Sequence, residues 1–216
     1  MARAFAADEV LRATQGIRSR SITLLRSIND DEASIEVLTC PSWTVRELAC
    51  HLSGVCDDLL NGRLTDIGSD AWTDAQVRRQ DAKSLGAILD EWERTAARFD
   101  ELVPLIPEPS NLQLVMDQVT HEQDLRLALD EPGAQDDRAI SIGLEFLLQL
   151  LRRTDPAFAE DARAAVASDF ELLRALTGRR SATQLEALGV DPARLAELLA
   201  STPMSIAERS IAEAST

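Results

Sequence analysis

Apolar residues recur along this chain at intervals of three and four, almost never in strict alternation, so the pattern predicts helices rather than strands. Val10, Leu11, Ile17, Ile22, Leu24, Leu25 and Ile28 mark a first helix from Asp8 to Ser27, ended by Asn29-Asp30-Asp31-Glu32. After a loop through Cys40-Pro41-Ser42, Thr44 and Glu47 read as a capping box, each side chain satisfying the other's free backbone amide. Trp43 is placed to pack on Leu48 as a hydrophobic staple. Val45, Leu48, Ala49, Leu52, Val55 and Leu59 then form a core stripe ending near Asn61-Gly62. Residues 63–82 are polar and read mostly as a long connection containing Gly68 and Trp72. Connections of that length are uncommon unless they cover a site.

A third helix is expected from Ser84 to Val103, with Ile88, Leu89 and Trp92 in the core, before Pro104, Pro107 and Pro109 break the chain. The fourth runs from Ser110 to Leu129 and is stopped by Pro132-Gly133. A fifth, from Asp137 to Arg153, carries Leu144, Phe146, Leu147, Leu148, Leu150 and Leu151. Beyond Asp155-Pro156 the units shorten and alanine rises. Ser168 and Glu171 suggest another capping box, Gly178 another helix end, and Ser181–Leu188 and Pro192–Ala200 two short helices. Only Ala162–Ala167 has a strand-like reading. The fold class is therefore mainly α, with a helical bundle over residues 1–154 and a small C-terminal region, helical with one short strand, over 155–216.

Composition narrows the function. A net charge of −15 over 216 residues repels phosphate backbones, and Arg179-Arg180 is too short a basic patch to offset it, so nucleic acid is not an expected partner. Three Trp, five Phe and no Tyr leave the core to Leu, Ala, Val and Ile. Cys40, Cys50 and Cys56 make no even framework and match no zinc-ribbon spacing, which fits a reducing cytoplasm. The start, Met1-Ala2-Arg3-Ala4-Phe5, soon meets Asp8 and Glu9 without a signal-peptide apolar run, and no apolar stretch is long enough for a membrane span.

The chain has only two histidines, His51 and His121. His51 flanks the apolar stripe of the second predicted helix, and His121 lies four residues after Asp117 on the fourth. Residues four apart share a helix face, with Cβ atoms about 5–6 Å apart. A carboxylate and an imidazole so placed can reach one zinc at roughly 2.0–2.2 Å. Leu114, Leu125 and Ala128 share that face, so Asp117 is expected to be at least partly buried and to need a compensating partner. The alternative is an ordinary Asp117–His121 helix pair with His51 as a satisfied core histidine. Cys50, about 100° around the helix from His51, and Cys56 read as packing residues.

The stretch Cys40-Pro41-Ser42-Trp43-Thr44-Val45-Arg46-Glu47-Leu48-Ala49-Cys50-His51-Leu52 resembles the first metal-ligand motif of the actinobacterial mycothiol-dependent maleylpyruvate isomerase family, within the DinB-like superfamily. Asp117-Gln118-Val119-Thr120-His121-Glu122-Gln123-Asp124-Leu125-Arg126 resembles its second, and Phe170 to Ser181 is similar to the tail of many members. The resemblance covers residues 8–133. It implies a DinB-like up-down four-helix bundle that holds a divalent metal, usually zinc, through His51, Asp117 and His121, with mycothiol as thiol cofactor. Two departures stand out. The family's isomerase has glutamate where this chain has Asp117, and it draws a catalytic arginine from a C-terminal α/β domain that here shrinks to residues 155–216.

Three functions follow from the same residues. The first is a mycothiol-dependent isomerase or S-transferase acting on a small electrophile, as a monomer or homodimer. For this reading Glu122 and Asp124 are candidate acid/base groups or supports of His121, and Arg126 is a candidate carboxylate binder or a salt-bridge partner of Asp124 or Glu122. The second is a hydrolase built on metal-activated water. The third is a non-catalytic metal-binding stress or interaction protein. The occupying metal stays open, since a His₂-carboxylate shell accepts nickel, iron or cobalt as well as zinc.

Overall fold

A computed structural model describes residues 5–41, 43–200, 202 and 204–212. Ser42 of the first motif and Met1–Ala4 of the N-terminal segment lie outside the described residues, as do 201, 203 and 213–216. The elements in chain order are α1 (Ala7–Arg26), α2 (Asp30–Ala33), α3 (Val45–Leu60), α4 (Asp70–Arg78), α5 (Leu85–Leu102), a 3₁₀ turn (Val103–Leu105), α6 (Ser110–Ala128), α7 (Arg138–Thr154), α8 (Pro156–Ala165), α9 (Asp169–Leu176), α10 (Ala182–Ala187) and α11 (Pro192–Leu199). Among the described residues there is no strand, only the isolated bridges Glu36–Thr44 and Ser181–Ala207. The fold is the mainly α, DinB-like helical bundle that the periodicity and the resemblance imply.

Helices α1, α3, α5 and α6 pack into the bundle, and α7 lies against α6 and α1. Ile17, Leu25, Leu48, Leu52, Leu89, Leu112, Val115 and Leu125 fill its centre and are all buried. The α6–α7 seam is close because Gly143 has no side chain: a Cβ there would stand 2.9 Å from Met116 Cα. The α3 start is as the sequence predicts. Glu47 N donates to Thr44 Oγ1 at 3.3 Å, and Thr44 N donates to Glu47 Oε2 at 2.7 Å.

Two expectations change. The connection at residues 63–82 is interrupted by a helix of nine residues, since Ser69 caps Trp72 N and starts the buried-edged helix α4. Too few apolar residues in that segment make a stripe, so periodicity alone misses it. The strand-like Ala162–Ala167 mostly belongs to α8, which Asp155 caps and Pro156 opens, an arrangement favouring a helix. Elsewhere the C-terminal region follows its caps, with one change of partner: Ser168 caps Glu171 N, but the Glu171 carboxylate turns to Arg180 at 3.0 Å instead of closing a box. Gly178 ends α9 in the left-handed region at φ +80°, and its bare Cα lets Ser205 O approach. Helices α8 and α9 both rest on α7, so the C-terminal region shares one apolar core with the bundle. No helix among the described residues is long and apolar enough to cross a membrane.

Candidate metal centre

Packing of α3 on α6 brings together the three side chains that the sequence singles out. Asp117 Oδ1 is 3.5 Å from His51 Nε2 and 3.8 Å from His121 Nε2. One donor atom from each of the three lies within 4.8 Å of the others. Zinc–ligand bonds of about 2.0–2.2 Å in a tetrahedron put donor atoms about 3.3–3.6 Å apart, so the triad needs little adjustment to close on a cation. The rings meet edge to face, with centroids 5.0 Å apart.

Each imidazole is held from behind. His51 Nδ1 lies 2.7 Å from Gln76 Oε1, and His121 Nδ1 lies 3.0 Å from Asp124 Oδ2. Both acceptors require hydrogen on Nδ1, which turns the Nε2 lone pairs toward Asp117. That is the arrangement found behind histidine metal ligands. His51 Nε2 and Asp117 Oδ2 are moreover buried with no hydrogen-bond partner. Buried polar atoms left without a partner are costly unless a further group satisfies them. The residues present therefore fit a divalent cation. Asp117, whose side chain is 31% exposed, opens the cluster to solvent, whereas His51 is 2% exposed. Trp43 closes another side, its ring 5.0 Å from His51 and 6.2 Å from His121. The tryptophan expected to pack on Leu48 thus walls the site.

Electrostatics separate the two histidines. Burial pushes both imidazoles toward neutrality; for His51 the Asp117 carboxylate outweighs it and holds the group above its ordinary value. For His121 burial prevails over the hydrogen bond to Asp124, and its value falls. Burial likewise raises the Asp117 carboxyl, but the two imidazoles bring it below the usual range.

The remaining candidates divide. Asp124 supports His121 directly, and its carboxylate is clamped by Arg174 Nη1 at 2.7 Å and Arg179 Nη2 at 2.8 Å. Glu122, also named as a support of His121, instead sits buried between Arg20 and Arg126, with Arg20 Nε at 2.7 Å and Arg126 Nη2 at 3.1 Å. Its burial excludes the solvated position that a charged residue usually takes. Arg126 makes that Glu122 pair and a bond to Glu131 O, so it does not face the histidines. Cys50 and Cys56 are buried packing residues. Trp92 is buried in the core, while Trp72 packs on it with Nε1 donating to Arg63 O at 3.0 Å.

Sequence reasoning missed Gln76, Cys40, Arg174 and Arg179. Gln76 lay in the segment read as connection. Arg174 has a visible signal, a charge inside Leu172-Leu173-Arg174-Ala175-Leu176, which demands a buried counter-ion. Cys40 Sγ lies 3.6 Å from Asp124 Oδ2 and 3.9 Å from His121 Nδ1, forming a second possible ligand group. That group fits a cation poorly. Both Asp124 oxygens already face guanidinium groups, and burial with the Asp124 charge pushes the Cys40 thiol up to about 12, away from the thiolate a metal requires.

A family model described as the mycothiol maleylpyruvate isomerase N-terminal domain matches residues 15–131, just over half of the chain and the part holding both motifs. No curated protein and no solved structure matches.

Proposed function

This chain belongs to the mycothiol maleylpyruvate isomerase N-terminal-domain family, and from that premise we propose that it is a divalent-metal-dependent enzyme that transfers a low-molecular-weight thiol, mycothiol, to a small electrophile. His51, Asp117 and His121 are the ligands in this reading, and zinc is the cation that their His₂-carboxylate chemistry fits best among redox-inert metals. The observation that carries it is the pair of Nε2 lone pairs converging on Asp117 at 3.5 and 3.8 Å while both Nδ1 atoms are engaged.

A cation held by His51, Asp117 and His121 would favour a bound thiol as thiolate, the nucleophilic form. The chain's own groups do the rest. Asp124 holds the Nδ1 proton of His121 and keeps the ring from turning. Arg174 and Arg179 keep that carboxylate ionised, since their charges outweigh the burial that would protonate it. Trp43 presents an apolar wall that excludes water from the histidine side. The exposed edge of Asp117 is the side from which thiol and electrophile enter and to which the thiol proton leaves.

Sulfur then adds to an electrophilic carbon. When the C–S bond is kept, with chloride expelled from a chloroarene or a proton added beside the new bond of an alkene, the result is transfer. Cleavage of that bond after rotation about a former double bond is isomerisation and returns the thiol. Transfer is the better fit. Isomerising an anionic substrate calls for a cation to hold the carboxylate, and Arg179 and Arg174, brought beside His121 through Asp124, are bound to the Asp124 carboxylate instead.

The test offers the zinc-loaded protein mycothiol with, in turn, an uncharged chloronitroaromatic, read by consumption of the thiol, and maleylpyruvate, read by its isomerisation, since that reaction returns the thiol. Metal-dependent consumption with the first, lost in His51→Ala and His121→Ala, is the expected result. Equal consumption by both variants contradicts the proposal, as does ester or amide hydrolysis that needs no thiol.

A further inference from the structure

Behind His51 lies a buried relay whose polarity is fixed from its far end. Gln76 is fully buried, with Nε2 donating to Asp58 Oδ2 at 2.9 Å and Oε1 2.7 Å from His51 Nδ1. An ionised carboxylate only accepts hydrogen bonds, so Asp58 admits one orientation of the amide, with Nε2 toward itself. The carbonyl oxygen is thereby turned to His51, and it too only accepts. Nδ1 must carry the hydrogen, so in the neutral ring Nε2 is the atom that bears the lone pair.

Two further features hold this relay. Asp58 is buried, and Arg63 Nε and Arg79 Nη2 both donate to its Oδ1, leaving Oδ2 to Gln76. Gly54, on α3 beside His51, supplies the space: a Cβ there would stand 2.6 Å from Gln76 Cβ and 2.9 Å from Cγ. Real Cβ contacts are essentially never under 3.0 Å, so Gln76 reaches His51 only because position 54 is bare.

We infer that Gln76 is the positioning residue of His51: oriented by Asp58 and admitted by Gly54, it fixes the Nδ1–H tautomer and so makes Nε2 the atom offered to a ligand. Helix α4 is thus part of the site. The two imidazoles are also unequal, His51 backed by a neutral amide and His121 by a carboxylate. The tautomer follows from hydrogen bonding alone; its consequence for metal affinity rests on the proposed function.

With only two histidines in the chain, long-range ¹H–¹⁵N spectra of the metal-free, tag-free protein at alkaline pH resolve each ring, His121→Ala supplying the assignment. The expected His51 spectrum is that of the neutral Nδ1–H form. Gln76→Met, matched in length and a good helix former, is expected to lose that preference and to weaken zinc binding in chelator competition by roughly 10–100-fold, the usual cost of removing such a partner. An Nε2–H ring in the parent protein overturns the inference. So does a folded Gln76→Met with unchanged spectrum and zinc affinity. Should Gln76→Met not fold, the parent spectrum still decides. A parent protein that binds no zinc refutes the metal reading instead, and the tautomer remains the judge of Gln76.

Discussion

Arg174 of α9 reaches across to Asp124 of α6 at 2.7 Å, with neither side chain exposed to solvent. The pair joins the C-terminal region to the carboxylate that holds His121. Breaking a buried pair by removing one partner is strongly destabilising, because the other charge is left uncompensated. Arg174→Ala is accordingly expected to cost about 3–5 kcal/mol, measured as a shift in urea midpoint. A loss under about 1 kcal/mol, the worth of an exposed pair, would show that Arg179 alone suffices for Asp124.

Gly54 makes a separate demand. Gly54→Ala places a methyl group where Gln76 Cβ and Cγ now stand. Overpacking of this kind typically costs about 1–3 kcal/mol, even though alanine is the better helix former. The expected outcome is a lower thermal midpoint together with weaker zinc binding. An unchanged or raised midpoint would mean that α4 shifts away from α3 without loss.

Acid stability follows from Asp58 and Asp124. Burial raises both carboxyls, but Arg63, Gln76 and Arg79 at Asp58, and Arg179, Arg174 and His121 at Asp124, bring them below their ordinary value, Asp124 well below. A group whose folded value is depressed stabilises the fold above its unfolded value, about 3.9 for aspartate. That contribution fades as pH falls from there toward the folded value, because the unfolded chain then binds more protons. The metal-free protein should therefore lose stability steeply below about pH 4, and Asp124→Asn, weaker at neutral pH, should show a flatter acid limb. Parallel limbs for the two proteins would remove Asp124 from this account.

Trp43 offers an optical check, since of the three tryptophans it is the one with ring contacts to both His51 and His121. Cobalt or copper bound by the triad should quench part of the intrinsic fluorescence, and Trp43→Phe should abolish most of that quenching while leaving metal stoichiometry intact. Quenching that survives in Trp43→Phe would place the metal nearer Trp72 or Trp92.

What the sequence makes legible is what short-range chemistry decides. Helix α3 is announced by Thr44 and Glu47, α6 by the run from Leu112 to Leu125, and the Asp117/His121 face by a spacing of four. Helix α4 is invisible to periodicity because only Gln76 and Val77 of its nine residues are buried, and one of them is polar. Asp124 was a named support of His121, yet its clamps, Arg174 and Arg179, come from the other end of the chain, and no local pattern connects positions 50 and 55 residues apart. The Glu122–Arg126 pair is legible from a spacing of four, but the second partner of Glu122, Arg20, lies 102 residues away.

The central claim is that His51, Asp117 and His121 hold one divalent cation. Zinc titration of metal-free protein against a competing chelator measures it most directly. The account predicts one tightly bound zinc per chain. His51→Ala, Asp117→Ala and His121→Ala, each verified as folded, should lower affinity by more than the roughly 10–100-fold that changes behind a ligand cost. Parent protein that binds zinc no better than these variants would contradict it.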